Sequence, residues 1–552
     1  MLSVATLFGC DSILDKEPLD TLTNGNFWTN EDNVKGYAFA FYNEFLGYGN
    51  GNTLGDFYFK VLTDNQVGNG FTNFTPTQVP ASDTKWRDLW TLVRRANILL
   101  ENVRKVSMSE TAKDHWEGVG KLMRAWGYYK LVRTYGNVPW VDGVLDITNG
   151  EILYGSRNNR DEIMDKVLED LNDATTKLND VKSNEINRSA GNAMKSEICL
   201  FEGTFRKYRP IPDVAGAEKY LRETKTASEF ILGKTYSLSP TYRQVYNSID
   251  LANNPEMILY KEYRPGVLGH STVGYITSST MIHGLSKNAV EAYLFADGKP
   301  LSLTSENTGD EARIVVRDRL VGGNQIKDTV MSIKHVLSVR DKRLSQTIDT
   351  VLCYVRRDFL GTTSSSGYRI IKYDNDALTA TEKLLPSNPT DAPIFWLAVI
   401  YLNYAEACAE LGTITQADLD RSINLLKKRA GLPNLTVNVE FQDPANNMNI
   451  SNLIWEIRRE RRCELMTDND VRFWDLIRWH QLDKLDSNVY PDILLGANIK
   501  ADEKNTGVER RGDYVDGSKG LSRTFQDKYY LTPIPSGQIT LNPQLAPNNP
   551  GW

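Results

Sequence analysis

Between residues 456 and 479 the chain sets Glu456, Arg459, Glu460, Glu464, Arg472, Asp475 and Arg478 at helical intervals, with Trp455, Phe473, Trp474 and Trp479 among them. Two chemistries fit such a set. Carboxylates beside cations and under apolar cover can serve as general acid and base. The same carboxylates can instead pair with arginines three or four residues away and fasten helices together. The signs balance, and no nucleophile or metal ligand stands with them, which favours a structural ion-pair network.

Other catalytic signals are thin. His115, His270, His283, His335 and His480 are scattered and form no HxH or HExxH pattern. There is no G-x-S-x-G elbow. The "GTTSSSGY" run at 361–368 lacks the lysine of a phosphate loop and reads as a flexible surface loop. "DND" occurs at 374–376 and 468–470, but neither copy continues into a calcium-binding loop. A glycosidase needs two opposed carboxylates, and with 70 acidic residues a pair could always be nominated. No cofactor is called for.

Binding chemistry makes better use of the loops. A sugar offers an apolar C–H face and a rim of hydroxyls. An aromatic ring matches the face at little entropic cost, and amides or charges beside it pair the rim. Residues 56–74 carry Tyr58, Phe71 and Phe74 beside Asp64, Asn65, Asn69 and Asn73. Residues 263–283 carry Tyr263, Arg264 and Tyr275, and Phe359 precedes the serine-rich run. These are the candidate ligand residues. The competing reading is that the aromatics simply fasten loops to the body.

The elements that must position these loops are mostly helices. A helix follows Thr29 and Asp32, whose spacing resembles a capping box. Amphipathic helices are expected from Trp86 to Val103 and from Trp116 to Gly136, where Gly136 and Pro139 stop the second. Further helices are expected at 160–178, 189–207, 215–232, 396–412, 416–431, 451–466 and 470–485. Residues 235–390 read as loop-rich, with strands in "EMILYKEY" and "RIVVRDRL". Helices arriving in pairs, with small residues such as Ala96, Ala125, Ala405 and Ala409, point to tetratricopeptide-type hairpins or to an irregular helical domain.

Composition bounds the partners. Net charge is −6 over 552 residues with no long basic block, which disfavours nucleic acid. Of the five cysteines, Cys199, Cys408 and Cys463 lie in apolar helical stretches and read as buried thiols. Cys10 differs. It ends "LFGC", with Leu7 three residues before it and Gly9 just before it, and polar "DSILDKEP" follows. A disulfide half, a stray apolar start and a lipobox all fit, although Phe8 is bulkier than a lipobox prefers.

Several segments together resemble the SusD/RagB family of outer-membrane lipoproteins. "RRERRCELMTDNDVRFWDLIRW" (458–479) is similar to the family signature. "WRDLWTLVRRANILLENV", "RAWGYYKLVRTYGNVPWV", "NNPEMILY", "YLNYAEACAELG" and the ending "YLTPIPSGQITLNPQLAPNNPGW" follow the family order. The resemblance implies a mainly α fold: four tetratricopeptide-like helix pairs packed against an irregular, loop-rich domain with few short strands. It implies no enzymatic activity, a glycan or peptide ligand, and a SusC-like TonB-dependent transporter as partner. It also makes Cys10 the expected lipidation site, anchoring the chain at the cell surface. The expected layout is a signal-peptide remnant (1–9), a lipid-anchored tether (10–26), a helical region (27–235), an irregular region (236–392), a fourth helix pair (393–432) and a C-terminal region (433–552).

Overall fold

A computed structural model describes residues 27–552 apart from 147, 279, 322 and 323. The tether, the signal-peptide remnant and Cys10 lie outside the described residues.

The chain is mainly helical. Helix α1 spans Glu31–Phe39, α2 Thr84–Val103, α3 Glu110–Tyr135, α4 Arg160–Lys177, α5 Arg188–Tyr208 and α6 Val214–Leu232. After the irregular region come α7 (Leu397–Glu410), α8 (Ile423–Ala430), α9 (Asn452–Glu464) and α10 (Val471–Arg478). Short polar side chains start the long helices: Asp83, Ser109, Asn159, Asn187 and Asp213 each accept a bond from a first-turn amide that would otherwise lack a partner. Helix α1 is capped by Asn30 rather than Thr29. Helix α3 ends at Gly136, whose φ of +72° a side chain would disfavour. The expected helix at 416–431 is split into Gln416–Asp420 and α8. The one expected at 470–485 stops at Arg478, and a 3-10 turn, Leu482–Leu485, follows His480, which has positive φ.

The helices stack in series. Helix α2 packs on α3, α3 on α4, α4 on α5 and α5 on α6. Helix α7 then packs on α6, so the stack resumes after an excursion from 233 to 396. This is the tetratricopeptide-like arrangement. Small residues let the helices approach: Ala96, Ala125 and Ala405 are fully buried, and a Cβ on Gly203 would lie 2.9 Å from Leu221 Cγ.

The excursion leaves and returns on one ribbon. Strand β1 (Met257–Lys261) pairs antiparallel with β4 (Ala392–Trp396). Between them a hairpin, β2 (Arg313–Val321) and β3 (Asn324–Ser332), pairs Arg313 with Ser332. The C-terminal tail closes the stack: Asn549 Nδ2 donates to the Tyr135 carbonyl at 3.0 Å, supplying a donor to the open end of α3. Cys199, Cys353, Cys408 and Cys463 are free and buried. Among the described residues no helix is long and apolar enough to cross a membrane.

Candidate functional site

The charged block of α9 and α10 is an ion-pair network. Arg478 grips both oxygens of Glu406 at 2.6 and 2.7 Å and donates to Asp475 at 2.8 Å, joining α10 to α7. Trp479 Nε1 donates to the same Glu406 at 2.7 Å. Arg461 joins α9 to α10 through Asp475 at 2.9 Å. Arg343, from the irregular region, holds Asp341, Glu460 and Glu464 at 2.7, 2.6 and 2.8 Å. Burial works against the Glu406 charge, but Arg478 outweighs it and lowers the pKa to about 2. Each of these carboxylates is engaged by an arginine, so the block clamps helices to the irregular region and offers no free general acid. Sequence reasoning missed Arg343, because no local spacing links it to α9. The first aspartate of each "DND" run is also engaged: Asp374 accepts from Lys383 and Asp468 from Lys372, at 2.7 and 2.6 Å. Among the described residues no cluster of three or more His, Cys, Asp or Glu side chains could hold a metal.

The loops converge on a seam of short backbone pairings. Gln66–Val67 pairs antiparallel with Gly284–Leu285, and Met281–Ile282 pairs parallel with Thr363–Ser364. Ser365 donates from its backbone to Ile282 and from its hydroxyl to Val67, at 2.8 and 2.7 Å. The serine-rich run is therefore not a flexible surface loop. Thr362, Ser364 and Ser366 are buried; the Thr362 hydroxyl donates to the Phe359 carbonyl at 2.7 Å and the Ser364 amide to the Cys353 carbonyl at 3.0 Å. Gly284 permits it: a Cβ there would meet Ser366 Oγ at 2.1 Å.

The candidate residues divide by burial. Tyr58 is buried, and its hydroxyl accepts from the His283 amide at 3.0 Å. Asp64 is buried against Arg472 at 2.7 Å and Arg462 at 3.3 Å. Burial opposes its charge, but the two guanidiniums outweigh that and hold its carboxyl below the usual range. Asn65 is buried and accepts from Arg462 at 2.8 Å. Phe74 is buried and stacked on Tyr529 with ring centres 4.6 Å apart. Tyr263 is buried and donates to the Gly49 carbonyl at 2.6 Å. Phe359 packs with Val330, Val351 and Cys353. All of these side chains have internal duties.

Asn69, Asn73 and Arg264 are exposed, and Phe71 and Tyr275 are half-buried. Arg264 pairs with Glu262 at 2.7 Å. The Tyr275 ring meets the half-buried ring of Phe59 edge-on, with centres 5.2 Å apart. Phe59 in turn lies 5.0 Å from the ring of Tyr58, which neighbours His283. Asn69 bridges the two loops: its amide N–H donates to His283 Nδ1 and its side-chain nitrogen to the Met281 carbonyl, both at 2.8 Å. That leaves Asn69 Oδ1 as an acceptor. Asn73 uses its Oδ1 on the Phe74 amide at 2.8 Å, leaving its side-chain N–H groups as donors. Burial lowers the His283 pKa to about 4, so the ring is neutral and Nδ1 can accept. The loop junction thus connects the Phe59 and Tyr275 rings, through Tyr58 and His283, to the side chain that joins the two loops. Sequence reasoning passed over Phe59 and His283. "DFYF" gives no local sign of which ring faces outward.

The described architecture is a serial helix stack clamped to a loop-rich half. Residues 261–552 match the SusD family, and residues 22–200 match a family described as starch-binding, associating with the outer membrane. The chain belongs to the SusD family. It is 23% identical over 504 residues to SusD-like protein P38 of Formosa agariphila, covering 87% of this chain and 90% of that protein. The crystal structure of a SusD-like carbohydrate-binding protein from Bacteroides fragilis superposes with a TM-score of 0.70 at 20% identity, covering 94% of this chain and 100% of that one. Surface glycan-binding protein A from Bacteroides fluxus gives 0.61 at 15% identity, covering 95% and 100%.

Proposed function

We propose that this protein captures oligo- or polysaccharide at the cell surface and passes it to a SusC-like TonB-dependent transporter. The observation that carries the reading is the loop junction, where the Phe59–Tyr275 pair is linked through Tyr58 and His283 to Asn69, which bridges the two loops. The two rings would take the sugar C–H face, while Asn69 and Asn73 would pair hydroxyls. Phe71 is a further half-buried ring on the same loop. The family membership and the carbohydrate-binding structural relatives support a glycan rather than another ligand. The protein acts as a binder and not as an enzyme: the carboxylates of its most charged block are held by arginines. Cys10, lipid-modified, would tether the chain to the outer membrane, where many weak sites along one polymer add up through avidity. Affinity electrophoresis of protein beginning after Cys10, through gels containing different polysaccharides, tests the reading. Retardation by at least one glycan is expected. Retention of extended peptides and of no glycan would replace it with peptide capture on the same fold.

A further inference from the structure

A cavity of about 280 Å³ lies between α2, α3, α5, α7, the start of α10 and the 44–60 segment. Trp126 and Tyr129 wall it from α3, and Trp474 from α10. Some of its charges are matched: Lys130 pairs with Glu44 at 3.1 Å and Lys60 with Asp56 at 3.5 Å, while Arg461, Asp475 and Arg478 belong to the network above. Others are not. Lys85, Arg133, Glu197 and Asp470 line the same space, and among the described residues none of them makes an ion pair. Arg133 donates only to the Tyr129 hydroxyl, at 3.0 Å, and lies over the Trp474 ring at 4.1 Å. Its Nε is shielded from solvent without a partner, and so is the indole N–H of Trp126, a residue only 7% exposed.

Charges of both signs facing one cavity without forming an ion pair are costly when partly desolvated. Burial accordingly raises the Asp470 pKa to about 6 and that of Glu197 in the same direction. A neutral polyol would give neither sign a direct ion pair. A ligand carrying one charge of each sign would satisfy both through charge-assisted bonds, roughly twice as strong as neutral ones. The volume falls just below the range of ~300–1,000 Å³ usual for drug-sized ligands, which limits the occupant to about one amino acid. We propose that this cavity binds a small zwitterion of free α-amino-acid size, its ammonium facing Glu197 and Asp470 and its carboxylate facing Arg133 and Lys85. The aromatic walls would cover the ligand's apolar part, and the Trp126 N–H would gain an acceptor.

The site is independent of the glycan reading, and its test can be separated from it. Calorimetric titration of the full folded chain with L-leucine should show binding. N-acetyl-leucine and leucinamide, each lacking one charge, should bind at least tenfold more weakly, and D-glucose should not bind. Glu197→Gln should weaken leucine at least tenfold without changing retention in polysaccharide gels. Lys85 is exposed, so Lys85→Gln provides a second variant that keeps the fold, with the same direction of effect. Absence of leucine binding, equal binding of the singly charged analogues, or glucose binding that Glu197→Gln abolishes would each overturn the proposal.

Discussion

The helix clamp and the loop junction both draw on polar and aromatic side chains, but they use them in opposite ways. In the clamp each carboxylate is met by arginine: Glu406 by Arg478, Asp475 by Arg461, Glu460 and Glu464 by Arg343. Nothing is left over for a ligand. At the junction the buried members, Tyr58, Phe74 and Tyr263, are likewise used up in holding loops. A thin outer set retains unused surface: Phe59 and Tyr275 with half-covered rings, and Asn69 and Asn73 with one free amide function each. Composition alone does not separate a binding aromatic from a fastening one. What separates them is whether its polar atom and its ring face already have partners.

That contrast can be broken first at the clamp. Glu406→Ala removes the bidentate partner of buried Arg478, leaving it mainly Asp475, which Arg461 also holds, and chemical denaturation should show a loss of about 3–5 kcal/mol. A loss below ~1 kcal/mol would mean the clamp is ornamental. Next is Phe74, which the burial pattern assigns to fastening. Phe74→Ala removes a buried ring stacked on Tyr529 and should cost about 3 kcal/mol of stability.

Acid should act on the junction through its histidines. Burial lowers His270 to about 3 and His283 to about 4, from the usual 6.5. Between those folded values and 6.5 the unfolded chain binds more protons than the folded one. The stabilisation is therefore complete above about pH 6.5 and is lost as pH falls toward 3. Comparing wild type with His270→Asn across pH 7.5 to 4 isolates this contribution from other groups. The wild type should lose on the order of 3 kcal/mol more than the variant. Parallel curves would show that the buried imidazole is not the acid-sensitive group.

Much of the fold was legible because helices announce themselves locally. Gly136 and Pro139 ended α3 where expected, and the limits of α4 to α6 fall within one residue of the expected ranges. The structure departs from the sequence reading where distant residues decide. The helix expected at 416–431 breaks at Ser422. The serine-rich run is buried because Val67 and Ile282, far away in sequence, complete its bonds. The site was legible as a region and not as a set of atoms. Residues 56–74 and 263–283 do meet, yet Phe59 and His283, which join them, carry no local mark. Arg343 escaped for the same reason, since its partners on α9 lie more than a hundred residues on.

The most direct test of the central claim is affinity electrophoresis of Phe59→Ala and Tyr275→Ala beside wild type, in a gel containing a glycan that retards the wild type. Each lost ring contact is worth about 0.5–1.5 kcal/mol, so dissociation constants should rise about 2- to 12-fold, with Tm nearly unchanged because both rings are already half in solvent. Unchanged retention in both variants, with the glycan still bound, would contradict the placement of the binding surface at the loop junction.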